Sequence, residues 1–133
     1  MLILHNHKNS NNHRVAKKIA SYFNCECTSV SDNPNLEDFE TITFVMGNTG
    51  DEELPQPMED FLLNLKTRNK KYLICEIGNY FGLESYVGCK KIASRMLNDL
   101  DWTKVSDISL DSVPDLDLSS LDKWLAEQSS KQL

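Results

Sequence analysis

No apolar run in this chain approaches the ~20 residues that a membrane-spanning helix needs, so no membrane span is expected. No basic start leads into an apolar stretch and a cleavage site, so no export signal is expected either. Clustered Lys and Arg, which a nucleic-acid groove requires, are missing: 14 basic residues face 20 acidic ones, for a net charge of −6. That balance argues against a nucleic-acid groove and permits a protein partner with a basic patch, steered by complementary charge. Repeats, low-complexity tracts and linkers are absent. Glycine is scarce, with five residues in all. The polar stretch His5–Asn12, "HNHKNSNN", contains none, although it joins the first predicted strand to the first predicted helix.

Cysteine is present but carries no framework. Cys25 and Cys27 stand two apart in a predicted strand and so face the same way. Cys75 lies in an apolar strand and Cys89 on the apolar face of a helix. Reduced, mostly buried thiols of a cytoplasmic protein are expected, with a disulfide or a metal site as the alternatives. His5, His7 and His13 lack zinc-site spacing with these cysteines, so no metal ligand is assigned.

The 133 residues, 40% hydrophobic and 26% charged, fit one compact domain spanning residues 1–133. "LIL" at 2–4 is a short apolar run. Val15, Ala16, Ile19, Ala20 and Phe23 share one helical face over 12–23, with Asn11 or Asn12 as N-cap. "CECTSV" (25–30) predicts a strand, "SDNPN" a turn, and "TITFVM" (41–46) a buried β-branched strand. Met58, Phe61, Leu62 and Leu65 make a helix face, "YLICEI" (72–77) another buried strand, and Cys89, Ile92, Ala93, Met96, Leu97 and Leu100 a second helix seam. "VSDISL" (105–110) is read as the last strand, and Leu121, Trp124 and Leu125 belong to a closing helix. Ser119 and Asp122 resemble its capping box.

The order β-α-β-β-α-β-α-β-α, with three runs apolar enough to be buried on both faces, predicts an α/β three-layer sandwich around a parallel sheet. The link between the second and third strands, with at most a small helical turn around "NLEDF", is short for a parallel crossover, so those strands need not be neighbours. In such sheets ligands sit beyond the carboxyl ends of the strands. Three loops leave strands there: 5–12, 47–57 and 78–88. All three should converge on one rim.

The first loop places hydrogen-bonding side chains and backbone N–H groups before a helix N-terminus, which suits a phosphate. A solvated cap loop explains it as well. The second, "GNTGDEELPQP", combines Gly47 and Gly50, which let backbone approach a flat ligand, with Asp51, Glu52 and Glu53. An acidic helix start accounts for Glu59 and Asp60 without a ligand. The third sets Tyr80, Phe81 and Tyr86 among Gly78, Gly82 and Gly88. Those aromatics can stack on a planar ring, or fold back over the core. The first strand does not end in paired carboxylates, so a phospho-receiver is not indicated.

Together the loops resemble those of the flavodoxin family in its short-chain form. The first looks like the family's Ser/Thr-x-Thr-Gly-Asn-Thr phosphate loop. Matched through Ala16, its positions fall on His7, Lys8, Asn9, Ser10, Asn11 and Asn12. Asn11 is identical; His7 stands for a hydroxyl residue, Ser10 for Gly and Asn12 for Thr. "GNTGDEELP" with "MEDFL" is similar to the family's second loop and the helix after it. "EIGNYFG" resembles the third, and "LDKWLAE" the last helix. The resemblance implies a flavodoxin-like, five-stranded parallel sheet in the order 2-1-3-4-5 and flavin mononucleotide (FMN) as cofactor. It implies a low-potential one-electron carrier, more a carrier than an enzyme, working as a monomer between a reductase and a redox acceptor.

The same resemblance puts the phosphate on the first loop and the ring between the other two. The ring edges would meet the backbone of Gly47, Asn48, Thr49, Gly50 and Asp51, and of Gly78, Asn79 and Gly82. Tyr80 is the first choice for the stacking ring, with Phe81 and Tyr86 as alternatives. A peptide flip at Gly47-Asn48 or Gly50-Asp51 would meet a proton on the reduced ring. "GNYFG" is also similar to the third loop of the flavodoxin-like activator of manganese ribonucleotide reductase (the NrdI family), which makes ribonucleotide reductase a possible partner. A flavin-free binding module on the same fold is the remaining alternative.

Overall fold

The computed structural model describes residues 1–6, 10–47, 54–78, 88–112 and 115–131. Five strands form one sheet: β1 (Leu2–His5), β2 (Glu26–Ser29), β3 (Thr41–Gly47), β4 (Lys71–Gly78) and β5 (Thr103–Asp111). Its order is β2-β1-β3-β4-β5, and every pair is parallel. Four helices cover it: α1 (Asn11–Phe23), α2 (Gln56–Asn64), α3 (Gly88–Asn98) and α4 (Leu118–Ser129). The α/β three-layer sandwich and the 2-1-3-4-5 order expected from the sequence are both present. β1 lies between β2 and β3, so their short link never has to close a parallel pair.

The two faces follow from the two-residue period of the strands. Leu2, Leu4, Ile42, Phe44, Met46, Tyr72 and Ile74 point to one side and pack with Met58, Phe61 and Leu62 of α2, Cys89, Ala93 and Leu97 of α3, and Trp102. Ile3, Val45, Leu73, Cys75, Ile77 and Leu110 point to the other, against Val15, Ala16 and Ile19 of α1 and Leu121, Trp124 and Leu125 of α4. Burying both sides of β1, β3 and β4 is why these strands read as unbroken apolar runs.

Several local expectations are corrected. Ser10, not Asn11 or Asn12, caps α1, because its Oγ reaches the His13 N–H. Asp117 caps α4, accepting from the Ser120 N–H at 3.0 Å and Oγ at 2.6 Å, so the Ser119–Asp122 box is not used. β2 stops at Ser29, since Val30–Asp32 turn into a 3-10 helix; around "NLEDF" there is only a turn, Phe39 N–H to Leu36 C=O. β5 begins at Thr103, two residues before "VSDISL". α2 ends at Asn64, with Leu65 as its C-cap.

Among the described residues, Asn and Asp fill left-handed turn positions. Asn24, Asn33, Asn69 and Asp101 adopt positive φ, between 47° and 61°. Asn and Asp tolerate that region because their short polar side chains bond locally.

Asp107 on β5 receives Lys90 Nζ at 3.3 Å and Lys104 Nζ at 2.9 Å. Burial pushes its carboxyl up, but the hydrogen bond from Lys104 and the charges of both lysines outweigh that, leaving it below its ordinary value. A carboxylate held low in the folded state stabilises above its unfolded value, about 3.9. That contribution is lost as pH falls through the lower folded value. Asp107→Asn is therefore expected to lower stability in urea titrations near pH 6 and to cost less near about pH 2; an equal loss at both would remove this account.

Candidate functional site

β1, β3 and β4 end together at His5, Gly47 and Gly78, on the edge where α1 and α3 begin. The first corner is built from amides. Asn6, directly after β1, and Asn12, in the first turn of α1, are both buried, and Asn12 Nδ2 donates to Asn6 Oδ1 at 2.8 Å. The bond ties the end of β1 to the start of α1. The His5 and His13 rings stack beside it with centroids 4.7 Å apart. Ser10 completes the corner as N-cap, while Asn11 opens α1 and faces solvent.

The second corner touches the first. Gly47 closes β3, and a Cβ built there would lie 3.0 Å from Asn12 Nδ2 and 3.3 Å from Asn12 Oδ1. A side chain here would need the buried amide to give by a few tenths of an ångström, so glycine is what lets the backbone pass at this distance.

The third corner is Gly78, buried at the end of β4, opposite Asp111, its C=O accepting from the Ser112 N–H at 2.9 Å. Two residues before it stands Glu76, fully buried. Its Oε2 accepts from Cys89 Sγ at 2.7 Å and the Lys90 N–H at 2.8 Å, and its Oε1 from Ser109 Oγ at 3.1 Å. Burial pushes the Cys89 thiol well up and the Glu76 charge adds to the effect, so Cys89 stays protonated and donates.

Of the residues assigned to the site from sequence, Ser10, Asn12, Gly47 and Gly78 are thus gathered at one edge, and Asn11 sits at its solvent side. His7, Lys8, Asn9, Asn48, Thr49, Gly50, Asp51, Asn79, Tyr80, Phe81, Gly82 and Tyr86 lie outside the described residues, as do Glu52 and Glu53. Sequence reasoning passed over His5, Asn6, Glu76, Cys89 and Ser109. The signal for Glu76 was available: a carboxylate inside "YLICEI", where each flanking residue is core.

All four cysteines are free thiols. Burial pushes Cys25, Cys27 and Cys75 up as well, in keeping with unreactive packing residues. Among the described residues no cluster of His, Cys, Asp and Glu could hold a metal ion, and no helix is long and apolar enough to cross a membrane.

No protein-family model and no curated protein sequence matches this chain. Solved structures do. Fusobacterium nucleatum flavodoxin, bound to flavin mononucleotide, superposes with a TM-score of 0.77 over 97% of this chain and 96% of its own, at 14% identity. This is the flavodoxin fold. Oxidised flavodoxin 2 from Bacillus cereus has a TM-score of 0.75 at 19% identity, covering 98% of each chain. A mutant flavodoxin from Pseudomonas aeruginosa also has 0.75, at 18% identity, over 97% of this chain and 95% of that one. The flavodoxin-like architecture expected from the three loops is therefore established by shape, with both chains covered nearly end to end.

Proposed function

We propose that this chain, as a single flavodoxin-like domain, binds FMN at the carboxyl edge of its sheet and carries electrons between a reductase and an acceptor. The observation that supports this most is the meeting of Asn12 with Gly47: an amide-rich helix start is packed directly against a strand end kept free of a side chain. The donor set suits a flavin phosphate. The first N–H groups of α1 have no partner within the helix and carry its positive end. Ser10 and Asn11 add side-chain donors without any cationic requirement. Backbone at Gly47 and Gly78 suits the edge of a flat ring, and Tyr80 is the assigned stacking residue, with Phe81 and Tyr86 as alternatives.

Bound FMN would supply the redox chemistry, accepting and returning single electrons. The protein's share is to bind, orient and tune. Ser10, Asn11 and α1 hold the phosphate end. The Asn6–Asn12 bond ties the start of α1 to the end of β1, with Asn12 packed against Gly47 of β3. Asn48, Thr49, Gly50 and Asp51 on one side, with Asn79 and Gly82 on the other, present backbone groups to the ring. Asp51, Glu52 and Glu53 place negative charge near it and oppose addition of a second electron, which makes a low-potential carrier. The same acids form a rim for basic patches on redox partners. The −6 net charge fits that docking mode, and a cytoplasmic monomer is the state in which it would work.

Asp51→Asn and Glu52→Gln should each raise the potential of the second one-electron step, by roughly 20–60 mV at low salt and less at high salt. Spectroelectrochemical titration reads the shift; potentials equal to those of the unaltered protein would remove the electrostatic account. The cofactor assignment is tested by the visible spectrum of the protein as purified and after FMN addition. A perturbed flavin band that survives gel filtration is expected, and FMN eluting free would refute the assignment. A second reading rests on "GNYFG" at 78–82, the segment similar to the activator of manganese ribonucleotide reductase. Rapid oxygen consumption by the reduced protein, stimulated by a ribonucleotide reductase subunit, would favour it over general electron carriage.

A further inference from the structure

The buried Glu76 has no part in the loop chemistry above. A carboxylate without exposure is costly unless its lone pairs are met, and here Cys89 Sγ, the Lys90 N–H and Ser109 Oγ meet them. Packing alone does not call for it, because an apolar residue of similar volume is commonly as stable or more so. What a carboxylate adds is direction. Its three bonds join β4 to the first turn of α3 and to β5, two residues before Gly78. Beyond them, the Ser112 N–H to Gly78 C=O bond fixes the strand end itself. Beside the cluster, Lys90 Nζ turns away to Asp107, which leaves its backbone N–H as the group that serves Glu76.

We propose that Glu76 is a positioning residue for the ring side of the flavin site: its buried carboxylate clamps α3 and β5 to the end of β4 and so holds the Gly78 corner in the geometry a flat ring needs. This rests on the FMN reading. It extends that reading from the residues facing the ligand to the buried group that places them. Both oxygens of a carboxylate accept hydrogen bonds, so three donors suit it. Glu76→Leu keeps the volume and removes all three bonds, whereas Glu76→Gln can keep them, its oxygen facing Cys89 Sγ and the Lys90 N–H and its NH2 donating to the Ser109 hydroxyl, which accepts as well as donates.

Binding of FMN and of riboflavin, which lacks the phosphate, separates this role from general destabilisation. Flavin-fluorescence titrations of Glu76→Leu should show about tenfold weaker binding of both flavins, and those of Glu76→Gln a change within threefold. Ser10→Ala, at the phosphate corner, should weaken FMN binding more than riboflavin binding. Cys89→Ser keeps a donor and should stay within twofold of the unaltered protein, whereas Cys89→Ala should lose about threefold on both ligands. Ser109→Ala, expected to lose a similar factor, serves if Glu76→Leu does not fold. Flavin affinities of Glu76→Leu equal to the unaltered protein's, or a loss confined to FMN, would overturn the role of Glu76 while leaving the FMN assignment intact. Failure of the unaltered protein to bind either flavin would overturn both.

Discussion

Gly47→Ala should weaken FMN binding by between fivefold and a hundredfold. The added Cβ would stand 3.0 Å from Asn12 Nδ2, a buried amide already bonded to Asn6 at 2.8 Å. One of them has to move. If Asn12 moves, the bond between the end of β1 and the start of α1 stretches, and a buried polar group is left short of its partner, at about 1–3 kcal/mol. If β3 moves instead, the backbone meant for the ring edge is displaced. Either way the two corners separate, and 1.4 kcal/mol is a factor of ten in affinity. The contact also makes the effects of the two residues interdependent. Asn12→Ala removes the obstacle, so the double variant should bind FMN no worse than Asn12→Ala alone. Fluorescence titration of the three variants decides it; strictly additive losses would show that the Asn12–Gly47 contact is not what holds the corners together.

Phe44→Ala should be the most destabilising of the substitutions considered, by about 3–5 kcal/mol. Phe44 is fully buried on the central strand β3, and its ring lies 5.9 Å from that of Trp102. Trp102 is anchored in turn, its Nε1 donating to the Thr67 C=O at 2.8 Å, so it cannot swing freely into the void. The neighbouring strands, fixed on both sides by parallel pairing, cannot close on the space either. Against a typical domain stability of about 5–15 kcal/mol the loss is a large share, and the thermal midpoint should fall by roughly 10–20 °C. A loss below about 1 kcal/mol in urea unfolding would mean that the centre of this sheet repacks.

The sheet was legible because burial on both faces leaves a plain mark: "TITFVM" and "YLICEI" have almost no polar interruptions, and their helices carry clean apolar seams. Boundaries were less legible. Ser10 caps α1 although two asparagines stand next to it, since the choice among good caps is made by where β1 delivers the chain. β5, on the sheet edge and only partly buried, lacks the pattern that marks β3 and β4. At the site, the glycines were the best guide. Among the described residues, turns elsewhere use Asn24, Asn33, Asn69 and Asp101 at positive φ, while Gly47 and Gly78 stand at the strand ends that form the site. The Asn6–Asn12 bond and the Glu76 cluster escaped the sequence reading because each joins residues that only the folded sheet brings together.

Titration of isotope-labelled protein with FMN, followed by amide NMR, tests the central claim most directly. The amides of Ser10, Asn12, Gly47 and Gly78 should shift together along one saturable curve, with amides at the opposite edge, such as Thr41 and Lys71, unmoved. Shifts that fall elsewhere, or that follow separate curves for Asn12 and Gly78, would contradict a single flavin site at this edge.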